Sequence, residues 1–311
     1  MTGLPWHAEH WKRLQARRQR DALPHAMLLC GPVGMGKRAF ATRFVNGLLC
    51  QQPVDGEACD RCRSCLLVAA GSHPDLVSMT FGLRKDGVQR AEIVVDQIRE
   101  LSSRLAMRSQ FGGWQVATID PADAMNMAAA NALLKTLEEP SAQTMLILLA
   151  DTPSRLPQTI RSRCQRIEFQ SPATATALAW LQAEGVTDPA RALEAAGGNP
   201  GLARAWAQQG ALDQRVEVRK DLAALAAGRG QPLEVVRRWL DNAPAQRLWF
   251  AAQAAADEMK ARSAGSTGPM ASTLDAEALD HWFHAANRTR ESLRGPLRGD
   301  LLLLELLAHW R

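Results

Sequence analysis

Gly31-Pro32-Val33-Gly34-Met35-Gly36-Lys37-Arg38 follows the apolar run Ala26–Cys30 and opens a helical pattern over 39–49. A short apolar strand, a glycine-rich turn and a helix in that order are the frame of a phosphate-binding P-loop. Such a loop works because consecutive backbone N–H groups and a helix N-terminus converge on phosphates, with a lysine as mobile positive charge. Gly31, Gly34, Gly36 and Lys37 are placed to supply these parts. The last position of the frame calls for a Ser or Thr hydroxyl to hold magnesium, and this chain has Arg38 there. The alternative is a glycine-rich strand-to-helix turn that holds no ligand. The motif therefore decides the fold and leaves nucleotide binding open.

Outward from the loop, the pattern predicts further strands over 75–80, 114–119, 145–149 and 167–169, with helices over 94–108 and 127–137. Strands alternating with helices imply βαβ units and a mainly parallel α/β sheet. The strand over 114–119 ends in Thr118-Ile119-Asp120-Pro121. Asp120 occupies the position of a magnesium-supporting acid. The place of the water-activating glutamate that should follow is taken by Pro121, which has no base. With the hydroxyl and the base both missing, no intrinsic ATPase is expected.

Six cysteines are present, and four of them, Cys50, Cys59, Cys62 and Cys65, fall within one short stretch. Four thiolates at this spacing can close a tetrahedron around Zn²⁺ with bonds of about 2.3 Å, leaving no open position for water. The site would be structural, stapling an insertion too small for its own core. Free thiols or an iron–sulfur cluster are the other readings. Asp60, Arg61, Arg63 and Ser64 between the ligands predict a polar, solvent-facing knuckle. Cys30 and Cys164 are expected to be ordinary buried residues, and His73 a turn residue before Pro74.

Past Pro172 the strand signals stop. Short helices are predicted over 173–183, 189–196 and 202–208, broken by Gly185 and by Gly197-Gly198-Asn199-Pro200-Gly201, and longer ones from Ala211 onward. Residues 265–272 read as a flexible loop. The first twenty residues predict a basic amphipathic helix carrying Lys12, Arg13, Arg17, Arg18 and Arg20 beside Trp6, Trp11 and Leu14. At 311 residues, two or three domains are expected. The net charge of +5, with 31 arginines against 6 lysines, permits a polyanionic partner without requiring one. No apolar run approaches the ~20 residues of a membrane helix, and no signal-peptide pattern opens the chain. A soluble, cytoplasmic protein is the expectation.

Three further segments point to one family. These are Ala129-Ala130-Asn131-Ala132-Leu133-Leu134-Lys135-Thr136-Leu137-Glu138-Glu139-Pro140, Leu156-Pro157 leading to Ser162-Arg163-Cys164, and His73-Pro74-Asp75 after the cysteine insertion. Together with the P-loop they make the chain, over about residues 5–205, similar to the AAA+ clamp-loader proteins. The resemblance implies an AAA+, RecA-like P-loop domain over 1–170 with a zinc module at 50–65. A helical lid over 171–208 and an all-α collar over 209–311 would follow. It implies that Arg163, within the Ser162-Arg163-Cys164 motif, is an arginine finger acting in trans on a neighbour's ATP, and that Cys50, Cys59, Cys62 and Cys65 hold structural zinc.

The implied partners are motor (gamma/tau) and delta subunits in a hetero-pentameric ring. Through that ring the chain would meet a sliding (beta) clamp and primed DNA in the bacterial replisome at the nucleoid, as an accessory to a replicative DNA polymerase. Two departures are visible. Gly201 stands where active members carry a nucleotide-sensing arginine, with Arg204 one turn away, and the polar sensor before Pro153 aligns with Ala150, Asp151 or Thr152. A non-hydrolysing ring subunit is the reading that results. An active motor ATPase of the same fold and a zinc-dependent DNA-binding regulator are the alternatives, the latter lacking any visible recognition helix.

Overall fold

The computed structural model describes residues 3–83, 87–293 and 297–310. The chain divides into two compact units, one running to Ala183 and including Gly198–Leu202, the other formed by Glu184–Gly197 and the residues from Ala203 onward.

The first unit is built on five strands: β1 (Ala26–Cys30), β2 (Leu76–Met79), β3 (Gln115–Ile119), β4 (Thr144–Ala150) and β5 (Gln165–Glu168). Their order is β2-β3-β4-β1-β5, and every pairing is parallel. All residues of β1 and β4 are buried, as central strands covered on both faces require, and this explains why both read as unbroken apolar runs. Leu28 lies in register with Leu148, and Leu29 with Leu149.

Helices cover both faces. On one, α1 (Ala8–Arg18) and α2 (Lys37–Leu49) seal a cluster containing Leu14, Met27, Leu29, Phe40, Phe44, Ile147 and Phe169. Between them and β2 lies the short α3 (Arg63–Ala69). On the opposite face α4 (Val95–Leu105) and α5 (Met127–Glu138) pack Ile98, Leu101, Leu133 and Leu137 against Leu28, Ala117 and Leu148. The buried positions of α4, 98, 101 and 105, fall at the three- and four-residue steps of one helix face. Gln97 turns back to accept the Val94 N–H (3.2 Å), and Asn126 caps α5 by accepting from Ala129 N–H (2.9 Å). Two more short helices complete this unit, α6 (Gln158–Arg163) and α7 (Thr174–Ala183).

The remaining elements are α8 (Pro189–Ala195), α9 (Pro200–Gln208), α10 (Ala211–Ala226), α11 (Pro232–Asp241), α12 (Pro244–Ser263), α13 (Ala276–Ser292) and α14 (Gly299–Ala308). In the second unit tryptophans combine apolar bulk with a satisfied N–H. Trp282 and Trp310 lie 4.6 Å apart between ring centres, donating to Leu306 O and Leu222 O at 2.9 Å each. Trp239 donates to Asp221 (2.9 Å). Among the described residues no helix is long and apolar enough to cross a membrane.

The expected strands and helices largely form, with three differences. The last strand is Gln165–Glu168 and stops before Phe169, because Phe169 turns its ring into the core while its N–H still reaches Cys30 O (2.8 Å). Neither α3 nor α6 is visible from periodicity, since helices of six or seven residues span too few turns to show a face. The loop over 265–272 is tied down instead of being loose. Met270 is buried and donates its N–H to Glu258, and Arg262 holds Ser272 O.

Leu148, fully buried in the central strand, should be costly to truncate. Leu148→Ala is expected to destabilise the protein by about 3 kcal/mol through lost burial and a residual cavity, read as a lower midpoint in urea denaturation.

Candidate functional site

The P-loop leaves β1 at its C-terminal end, where ligand crevices form in open parallel sheets. Its conformation depends on glycine. Gly34 has φ 89° and Gly36 φ 80°, both in the left-handed region. Two flanking segments clamp the loop. From the N-terminal side, Trp6 Nε1 donates to Met35 O (3.1 Å), and His7 Nε2 lies 2.8 Å from the same oxygen. Burial keeps the His7 pKa below its ordinary value, so a neutral ring donating from Nε2 fits that carbonyl. From the C-terminal side, Asn199 Nδ2 donates to Val33 O (2.7 Å), and its Oδ1 accepts the Leu202 N–H (3.0 Å). Gly201 sits against Gly34 so closely that a Cβ would lie 1.9 Å from the Gly34 carbonyl. The residue standing where a sensing arginine is expected is glycine because no side chain fits there.

The two cations of the loop are spent internally. Lys37 is almost fully buried, and its Nζ reaches Asp151 (2.7 Å), Pro32 O (2.8 Å) and Gly31 O. An ammonium has three N–H donors, so all three are engaged. Arg38 grips both acids of the crevice. Its Nε and one terminal nitrogen meet the two Asp120 oxygens at 2.7 Å each, and its terminal nitrogens meet Asp151 at 3.1 and 3.3 Å. These are fork-like charge-assisted bonds, the strong kind.

Burial pushes the Asp151 carboxyl up, but the bonds from Arg38 and Lys37 outweigh it and hold its pKa below the ordinary 3.8. Burial likewise disfavours the charged Arg38, and the two aspartates more than compensate, raising its pKa. The sheet edge thus carries two cations and two anions in mutual contact. Arg38, which stands where the P-loop frame calls for a hydroxyl, puts its guanidinium between Asp120, the candidate magnesium-supporting acid, and Asp151. Of the three candidate sensors, Asp151 reaches into this cluster, Ala150 ends β4, and Thr152 donates its backbone N–H to Asp123 (2.7 Å).

Cys50, Cys59, Cys62 and Cys65 converge at the C-terminal end of α2. Their sulfurs all lie within 4.8 Å of one another, and those of Cys50 and Cys62 are 3.9 Å apart. A tetrahedral site with bonds of about 2.3 Å has edges of about 3.8 Å, so the residues fit a metal ion. Backbone N–H groups of Gln52 and Cys59 point at Cys50, that of Cys62 at Cys59, and that of Cys65 at Cys62, at 3.3–3.4 Å. Such donors stabilise thiolate charge. Burial opposes ionisation of Cys62, yet the N–H groups of Cys65 and Gln51 bring its pKa down to about 6. Burial and the neighbouring sulfurs push Cys65 the other way, to about 12. Four crowded thiols compete for negative charge, and a divalent cation lets them ionise together.

One expectation here needs correction. Ser64 is completely buried. Its hydroxyl donates to Leu49 O (2.6 Å) and lies 2.7 Å from His73 Nε2. His73 Nδ1 accepts from Asp75 N–H (3.1 Å), which leaves Nε2 as the protonated nitrogen. Asp75 in turn binds Ser109 and the N–H groups of Gln110 and Phe111. The helical turn of α3 rotates Ser64 inward while Asp60, Arg61 and Arg63 stay largely outside. His73 is therefore a buried hinge-pin of the insertion, away from the four sulfurs' ligand set.

Arg163 ends α6, is partly exposed, and pairs with Glu138 of α5 (2.6 Å), with a further bond to Thr159 O (3.1 Å). Cys164 is buried, and burial raises its pKa to about 12. Cys30 is buried as well. Sequence reasoning missed the roles of Asn199, Ser64 and Glu138. Asn199 before Pro200 does carry a helix-capping signal, but nothing local says that its amide also reaches Val33.

Residues 6–173 match the model of the family described as DNA polymerase III, delta subunit. The chain belongs to that family. It is 43% identical over 218 residues to the DNA polymerase III subunit delta' of Pseudomonas aeruginosa, covering 69% of this chain and 64% of that one. The corresponding Escherichia coli subunit is 38% identical over 212 residues, covering 67% and 62%. The match thus spans a little under two thirds of the length of these relatives. The Bacillus subtilis DNA polymerase III subunit tau is 34% identical over 160 residues, 51% of this chain and 27% of that one. The family's expected α/β P-loop sheet is present, with the charge-filled loop and the four-cysteine cluster on it.

The Asp151 carboxylate should matter most through Lys37. Asp151→Asn leaves the buried ammonium two carbonyls and no counter-charge, and should cost about 2 kcal/mol, below the ~3–5 kcal/mol of a fully orphaned buried ion. A carboxylate with a lowered folded pKa stabilises above its unfolded pKa, and the effect is lost as pH falls through the folded value. The melting-temperature gap between wild type and variant should therefore be steady from pH 7 to 5 and close below pH 3.8.

Proposed function

We propose that this chain is the delta prime subunit of a bacterial clamp loader, a ring member of the DNA polymerase III holoenzyme that does not hydrolyse ATP itself. The observation that carries this reading is the pairing of Lys37 and Arg38 with Asp120 and Asp151. A nucleotide-bound magnesium would have to displace a guanidinium from both carboxylates, and a triphosphate would have to draw Lys37 away from three partners. No base follows Asp120. An active motor of the same fold needs each of these groups free.

What this chain offers a neighbour is Arg163. Its one carboxylate partner, Glu138, is about half exposed, and such surface pairs are worth roughly 0–1 kcal/mol. The guanidinium is thus cheaply released towards a partner's γ-phosphate, where an arginine can accelerate phosphoryl transfer about 10³–10⁵-fold in well-studied systems. The likeness to a tau subunit supports motor subunits of that kind as ring neighbours, together with a delta subunit, the sliding clamp and primed DNA in the cytoplasm at the nucleoid. The helical segments over 171–208 and 209–311 would serve as lid and collar. Cys50, Cys59, Cys62 and Cys65 would hold one Zn²⁺ as a closed structural site.

In a loader reconstituted with its motor subunits, Arg163→Ala should leave assembly intact and lower DNA-stimulated ATPase at least severalfold. Unchanged turnover rejects the role of Arg163. Elemental analysis of the purified chain should find about one zinc per molecule. Chelation should lower its melting temperature, and metal-free protein of undiminished stability contradicts the zinc site.

A further inference from the structure

The basic N-terminal helix has no part in the mechanism above, yet the fold gives it a defined surface. α1 lies along the free edge of β5, which among the described residues has β1 as its only strand neighbour. His10 Nε2 is 3.1 Å from Glu168 O, and Arg17 donates to the Gln165 side chain. Leu14 and Ile167 are buried beneath. Between helix and strand runs an open trough of about 550 Å³.

The charge in this trough is one-sided. Arg13, Arg17, Arg20, Arg166 and His10 line it, and the single acid among the lining residues, Glu168, is already paired with Arg166. Among the described residues, the exposed side chains of Arg13 and Arg20 make no ion pair or hydrogen bond. By contrast, Arg18, Arg38 and Arg43 each have a carboxylate or carbonyl partner. A row of unneutralised guanidinium groups gains by binding anions.

We propose that this trough binds the phosphodiester backbone of nucleic acid. Arg13 and Arg17 stand one turn apart on α1, about 6 Å at 1.5 Å rise per residue, and Arg20 follows in the turn that ends the helix. Together they make a cationic line that continues past the end of the helix, matched to a strand that carries one phosphate per ~3.4 Å of axis. Arginine's planar fork suits phosphate oxygens. An extended acidic peptide would need to add to the strand edge, and α1 already lies there, with His10 on the outward carbonyl of Glu168. The contacts available are to backbone phosphates, so binding should be indifferent to base sequence.

The test uses the full-length protein and fluorescein-labelled 20-mer DNA, duplex and single-stranded, with anisotropy read across a potassium chloride series. Arg13→Gln/Arg20→Gln should melt like wild type, because neither side chain makes a hydrogen bond or ion pair within the protein. It should bind DNA at least tenfold more weakly, with the slope of log K against log salt reduced by about 1–2. The control Arg229→Gln/Arg237→Gln removes the same charge from exposed positions of the second unit and should bind like wild type. Unchanged affinity and slope in the first variant overturn the proposal, and so does an equal loss in the control. If polyglutamate of matched charge displaces the DNA as well as unlabelled DNA does, the trough is an acidic-peptide site and the proposal fails.

Discussion

Lys37, Arg38, Asp120 and Asp151 form a neutral knot at the C-terminal ends of β1, β3 and β4, and the architecture of the first unit is organised around it. Parallel strands end together at one sheet edge, so the residues just past them are forced into proximity. In a competent P-loop that proximity is used on phosphate and metal. Here it is used on the chain's own side chains. Because Lys37 is buried, its charge is tolerable only while Asp151 and two carbonyls surround it. The clamps from Trp6, His7 and Asn199, and the close seat of Gly201, follow from the same closed loop.

The cysteine insertion shows a second kind of economy. The stretch around residues 50–72 has few apolar side chains to bury, so it is held by sulfur on one side and by a polar chain on the other. That chain runs Leu49 O, Ser64, His73 and the Asp75 backbone, ending on the loop at 109–111. The thiol cluster orders the knuckle, and the Ser64–His73 contact bolts it to the sheet. The four-cysteine cluster and a buried histidine thus have separate jobs within ten residues of each other.

Much of this was legible beforehand. The strand–glycine–helix frame placed β1 and α2, unbroken apolar runs marked β1 and β4 as central, and the four cysteines announced their cluster by spacing alone. Fidelity faded where the period had too few turns to register, as in α3 and α6, or where one side chain defied its class. Ser64 reads as a surface residue by type, and only the rotation of a short helix turns it inward. The loop at 265–272 has the composition of a mobile segment, yet Met270 is anchored by Glu258, a partner twelve residues away that no local rule nominates.

The order of residues alone determined where the chain departs from the P-loop pattern: Arg38 at the hydroxyl position, Pro121 at the position expected for the base, Gly201 where a sensing arginine is expected. These are statements about types at positions, and a linear motif is enough to read them. What became of the spare charges was decided in three dimensions. Arg38 is 82 residues from Asp120 and 113 from Asp151, and only the parallel crossovers of the sheet bring them within hydrogen-bonding distance. Likewise the arginines of α1 are simply basic in sequence. It is the packing of that helix against the free edge of β5 that engages Arg17 with the Gln165 amide and leaves Arg13 facing solvent across a trough.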